Sequence, residues 1–315
     1  MGLQSGIWTG NLLLPALAVL GALLALLALP ARAEPLPASC RSYLPMEGRV
    51  ISVALDGSIV LDVFASLLRP ENTSPAQSHE TVRLADIGND EGARKTSLQP
   101  ALHALIGRRI VAHPLYPAPD RWGRVVSHVE VLSGESAPPS SVWLQADLVR
   151  AGLVEVRPQG SHVGCAGALY KGETAARNAG RGLWRGTGPR LAKQRRNASV
   201  SAGSQAHDPD ARRGSKQGIL SASDAHLSRQ ANAYRIVAGI VVSVGATSRT
   251  LYLNFGRDWS RDFTVTIPVD REVAFREAGR DPKALAGRYV RVRGWMREWN
   301  GAQIEVRHPD QIEVF

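Results

Sequence analysis

The stretch "VRLADIGNDEG", residues 82–92, sets two chemically useful groups a short way apart. Arg83 closes the strand-like run "ETVRLADI", and Glu91 stands eight residues later, where a helical pattern begins. A guanidinium offers paired donors to phosphate oxygens and offsets the charge that grows on them during attack. A carboxylate in the right place takes a proton from water. An arginine and a carboxylate at this spacing are parts with which a phosphodiester can be clamped and attacked.

The elements that must position them read as strands. "RVISVALDGSIVLDVFAS" is two alternating apolar runs joined at Asp56-Gly57-Ser58, a hairpin signal, and "ETVRLADI" is a third strand. A helix is expected over Glu91–Ile106, then strands in "RRIVAHPLY" and "GRVVSHVEVL" around the turn "APDRWG". Between Val163 and Leu183, small and apolar residues from Cys165 through Gly172 to Ala179 fall on one helical face, so this helix should lie close to its neighbour. Five strands with a helix after the third predict an OB-type barrel. The C-terminal part repeats the order. "AYRIVAGIVVSVGA", "RTLYLNFG" and "RDFTVTIPV" precede a short helix "DREVAFREAG", and "GRYVRVRGWM" and "AQIEVRHPDQIEVF" complete five strands. The expected class is mainly β with helices (α+β), an OB-fold nuclease-like barrel followed by a second OB-type barrel.

Four motifs in order, "VRLADI…E", "DRWGR", "WLQADLVRAGLVEV" and "AARNAGRGLW", resemble the thermonuclease (staphylococcal nuclease-like) family over residues 45–186. The resemblance implies calcium-assisted hydrolysis of nucleic-acid phosphodiesters, with Arg83 and Arg124 on the phosphate and Glu91 as general base. The metal side departs from the family pattern. Ser58 in "DGSI" and Gly88 stand where metal-binding aspartates are usual, and Asp90 replaces the proline before Glu91. Calcium takes six to eight oxygen ligands, several of them carboxylates. Asp86 and Asp90 are the nearest substitutes, and Asp86 would be displaced by about 7 Å along the strand from Gly88. The resemblance therefore implies an exported hydrolase with weak or lost activity. The alternative is a non-catalytic protein that binds nucleic acid or the envelope through two OB-type barrels.

Charge and composition bear on that choice. The formal charge is +10, but residues 34–186 carry 16 basic against 15 acidic side chains. Half of the excess sits in residues 187–231, with 8 against 3 in a Ser/Gly/Ala-rich segment without apolar period. That segment is expected to be a disordered basic linker, with the two barrels folding separately on either side. In residues 232–315, Tyr252, Phe255, Trp259, Phe263, Trp295 and Trp299 interleave with Arg249, Arg257, Arg261, Arg291, Arg293 and Arg297. Such interleaving suits single-stranded nucleic acid; oligosaccharide or protein ligands stay open, because the fold hosts many. An anionic envelope surface is a further partner for the basic linker, and a monomer is expected.

The apolar run Leu12–Leu29 followed by "ARA" at Ala31–Ala33 reads as a secretory signal over residues 1–33, or as a retained N-terminal anchor. Export, periplasmic or secreted, makes a disulfide between Cys40 and Cys165 the expected state, with two buried free thiols as the alternative.

Overall fold

The computed structural model describes residues 34–42, 44–66, 78–88, 95–134, 140–159, 163–185, 218–258 and 260–315. The signal-like run, Asp90, Glu91, Trp259 and the basic clusters between 187 and 217 lie outside these residues. Among the described residues no helix is long and apolar enough to cross a membrane.

The first module contains β1 (Met46–Val53), β2 (Ile59–Ser66), β3 (Ser78–Leu84), the two-residue β4 (Ile87–Gly88) and α1 (Lys95–His103). It continues with β5 (Arg109–Pro114), β6 (Arg124–Ser133), β7 (Ser140–Trp143), α2 (Leu144–Arg150), β8 (Glu155–Val156) and α3 (Cys165–Asn178). Alternation decides the faces. Val50, Ile59, Leu61, Val82, Ile110, Ala112 and Val129 point inward and are fully buried. β1 pairs with β2 and β5, β2 with β3, and β5 with β6, all antiparallel. β3 then runs parallel to β6, which closes the ring into a five-stranded barrel. The expected small-residue face of α3 packs on α2, where a Cβ on Gly172 would stand 3.7 Å from Val149. Cys40 and Cys165 are joined in a disulfide that pins the segment before β1 to the start of α3.

The second module holds β9 (Leu220–Ser221), β10 (Ala233–Ile240), β11 (Ser243–Ala246), β12 (Thr250–Asn254), β13 (Thr264–Pro268) and α4 (Glu272–Glu277). β14 (Tyr289–Glu298), β15 (Ala302–Glu305) and β16 (Ile312–Val314) complete it. The sheet path is β11-β12-β13-β15-β14-β10-β9, with β16 also on β14 and with β13 parallel to β15. Two runs expected as single strands are split here. "AYRIVAGIVVSVGA" breaks at Val241-Val242, and "AQIEVRHPDQIEVF" breaks at a 3-10 turn carrying Pro309, which has no N–H to give a ladder. The protein is thus mainly β with a few helices.

The expected end of the linker at residue 231 needs correction. The chain takes on structure again from Gly218, well before 231: β9 pairs with β10, and Ile219 and Leu227 are buried. The modules also do not stand apart, since residues 34–315 form one compact unit. Arg293 of β14, fully buried, donates to the Val156 carbonyl at 3.1 Å and to Glu173 of α3 at 3.0 Å, and lies over the Tyr170 ring. Its Nη2 donates to Glu313 at 2.6 Å. Asp310, also buried, accepts from the Gly164 amide at 2.7 Å and pairs with Arg280, while Tyr170 donates to its carbonyl. These partners are far apart in sequence, so no periodicity announces them.

Two outcomes follow from this interface. Cleavage at a protease site engineered near residue 200 should leave two fragments that still co-elute on gel filtration, and separate elution would contradict the buried contact. The second concerns acid. Burial pushes the Glu173 carboxyl up, but Arg177, Arg293 and the Val156 amide outweigh it and hold the group below its ordinary value. A carboxylate depressed in the fold contributes stability above its unfolded pKa of about 4.3 and loses it as pH falls through the folded value. The urea midpoint should therefore drop on acidification below about pH 4, and drop less steeply in Glu173→Gln. Equal slopes would contradict the assignment.

Candidate functional site

β3 and β6 bring the two candidate arginines together. Thr81 is the register partner of Arg124 and Arg83 that of Val126, so Arg83 and Arg124 lie on one face, one two-residue step apart. Burial, and next the charge of Arg124, hold the Arg83 guanidinium below its ordinary pKa. Glu91, the expected base, lies outside the described residues.

Neither arginine is left idle. Arg124 is set by the turn before β6, where Asp120 accepts from its backbone amide and from its Nε at 3.0 Å each. Its Nη1 donates to Asp56 at 2.8 Å, and its guanidinium lies 4.7 Å from the centre of the exposed Trp122 ring. Burial lowers the Arg124 pKa, but bonds to Asp120 and Asp56 more than reverse this and leave it raised. Asp56 is held in the β1–β2 hairpin by the amide of Ser58 at 2.9 Å and its hydroxyl at 3.0 Å. Two carboxylates thus already neutralise the cation that the motif suggested for a phosphate.

The segment 155–159 crosses the same face. β8 pairs with β4, setting Glu155 opposite Gly88 and Val156 opposite Ile87. Pro158 disfavours helical backbone at the residue before it, Arg157. The Arg157 amide donates to the Asp86 carbonyl at 2.8 Å, and the Gln159 amide donates to the Asp86 carboxylate at 2.7 Å. Gln159 receives Arg83 on its side-chain oxygen at 2.6 Å and Tyr116 on its carbonyl at 2.7 Å. Arg157 lies directly over Gly88. A Cβ on Gly88 would stand 2.5 Å from its Cδ and 2.8 Å from its Nε. The guanidinium is held by Glu155 at 2.7 Å and lies 4.5 Å from the centre of the Tyr234 ring of the second module.

This geometry does not fit calcium. Ser58 is buried with its hydroxyl turned to Asp56, and the space at Gly88 is taken by a cationic side chain. Asp86, a weak substitute on sequence grounds, is 1% exposed in a left-handed turn (φ 57°), carries the Gln159 amide and lies 3.3 Å from His128. It is a fastener of the 155–159 segment. Asp90 lies outside the described residues. Among the described residues no group of three His, Cys, Asp or Glu side chains is placed to hold a metal.

Sequence reading missed Arg157, Gln159, Asp120 and Asp56 as members of this site. Asp120 and Asp56 sit inside the motifs themselves, in "DRWGR" and "DGSI". The part played by "EVRPQ" depends on a tertiary crossing that no local pattern marks. No protein-family model matches the chain, and no curated protein matches its sequence. The thermonuclease resemblance therefore stands on the four motifs and their order.

Proposed function

We propose that this is an exported, non-catalytic binding protein, built on a nuclease-like OB barrel whose metal site has been closed and on a second OB-type module. The carrying observation is Arg157 lying over Gly88, which puts a positive charge and a side chain where a calcium carboxylate would stand. The OB reading of the second module draws support from the parallel β13–β15 pair and from β10 and β11 acting as one bent first strand. Polyanion binding draws little support from that module's arginines. Of the six arginines interleaved with aromatics, Arg261, Arg291, Arg293 and Arg297 are each paired with a carboxylate, which leaves Arg249 and Arg257 without one among the described residues, and strong phosphate-backbone binding needs cations free to replace counterions.

Weak phosphodiester hydrolysis is the second reading, favoured by the shared face of Arg83 and Arg124. Calcium titration of variants separates the two. Ser58→Asp with Gly88→Asp should bind Ca²⁺ no better than the parent, because Arg157 still covers the position. Adding Arg157→Ala should tighten Ca²⁺ binding by about tenfold or more, as the like charge is removed and carboxylate oxygens are added. Calorimetry reads both. Equal calcium affinity with and without Arg157 would sink the closed-site account.

A further inference from the structure

We infer that the second module is a clamp that keeps an intramolecular plug, the Gln159 side chain, on the guanidinium of Arg83. Such a device regulates the closed site described above and rests on that reading. The two arginines of the shared face are satisfied in different ways. Arg124 meets carboxylates, Asp56 at 2.8 Å and Asp120 at 2.9 Å. Arg83 meets a neutral amide oxygen, Gln159 Oε1, at 2.6 Å. An amide oxygen occupies a guanidinium without cancelling its charge, and a bond from a guanidinium to an ionised oxygen is stronger. A small oxyanion therefore outcompetes Gln159 wherever it can reach Arg83. What keeps Gln159 in place is the backbone on which it stands.

That backbone is fastened at both ends. At Gln159 the hold comes from the first module: the amide donates to the Asp86 carboxylate and the carbonyl accepts from the Tyr116 hydroxyl, each at 2.7 Å. At Val156 the second module supplies it. The Val156 carbonyl accepts from Arg293 of β14 at 3.1 Å and from the Tyr234 hydroxyl of β10 at 3.4 Å. The Tyr234 ring also lies 4.5 Å from the guanidinium of Arg157, the next residue. Glu173 of α3 takes the Val156 amide at 2.8 Å, and Glu173 is itself bound by Arg293 at 3.0 Å, so this anchor too runs through the second module. Val156 and Gln159 are three residues apart, a stretch that spans at most about 10 Å. Pro158 between them has no N–H to give a further bond. Release of Val156 therefore leaves the plug on Asp86 and Tyr116 alone. An anion that needs the strap open binds with an affinity scaled by the open fraction, so a weaker clamp means tighter binding.

The test is calorimetric titration of the full chain with inorganic pyrophosphate at constant ionic strength. Gln159→Ala, at an exposed residue whose truncation spares the fold, should bind it about tenfold more tightly than the parent, or better. Tyr234→Ala should do the same with Gln159 still present; Tyr234→Leu, which keeps apolar bulk, serves if the alanine variant does not fold. Tyr234→Phe, which keeps a ring against Arg157, should return to the parent's affinity. Adding Arg83→Ala should erase each gain. No gain in Gln159→Ala removes the plug, and a gain there without one at Tyr234 removes the clamp. A gain that survives Arg83→Ala places the anion elsewhere, and a phenylalanine variant that binds like the alanine one denies the ring its part. Each of these overturns the inference. The closed-site reading outlasts them all, because it falls only to calcium-dependent cleavage or to calcium titration of the Arg157 variants, whatever pyrophosphate does.

Discussion

Replacing Cys40 and Cys165 together by alanine is expected to lower the unfolding free energy by about 2–5 kcal/mol. The bridge spans 125 residues, and closing a loop of that length in the unfolded chain is worth about 5 kcal/mol on the chain-entropy estimate. Both cysteines are buried, at 2% and 0% exposure. The bridge also holds the start of α3, and α3 presents Tyr170 and Glu173 to the second module. Loosening it should weaken the interface as well as the first barrel. Total stability of a folded domain is about 5–15 kcal/mol, so the loss is a large share. Urea unfolding of the double variant and of the reduced parent should give matching midpoints, both well below that of the oxidised parent. A drop under about 1 kcal/mol would mean that the unfolded chain gains little freedom from losing the bridge.

Arg293→Ala should cost about 3–5 kcal/mol, the range found when one partner of a buried ion pair is removed. Arg293 is fully buried and serves Glu173, Glu313 and the Val156 carbonyl. Its loss leaves Glu173 with Arg177 and the Val156 amide as remaining partners, in a site closed to water. After cleavage at an engineered site near residue 200, the Arg293→Ala fragments should separate where the parent's stay together. A variant that keeps both its stability and its paired fragments would show that the ionic contact does not hold the modules.

Local pattern carried much of the fold and less of the site. The hairpin "DGS" and the alternating runs around it marked β1 and β2, because a half-buried strand writes its faces into the sequence. The described part of the first helix falls within Glu91–Ile106, as Lys95–His103. The pair β4 and β8 carries no such signal, since two residues cannot show a period. The early start of the second module was hidden for a related reason. Ile219, Leu220, Ala222 and Leu227 are spaced without regularity in a Ser-rich stretch. Arg83 and Arg124 sit on one face of the first barrel, where motif order pointed. The side chain that lies over Gly88, Arg157, arrives from 69 residues along the chain after it. Its role depends on β4–β8 pairing and on Tyr234 of the other module, and neither is a local property.

The most direct test of the closed-site account is a cleavage assay. Single-stranded DNA is incubated with the purified protein in Ca²⁺ or in EDTA, beside the Glu91→Gln variant. With Arg157 over Gly88 and Arg124 already bound by Asp56 and Asp120, all reactions should yield the same trace of product. Robust cleavage that requires Ca²⁺ and disappears in Glu91→Gln would contradict the account and restore the nuclease.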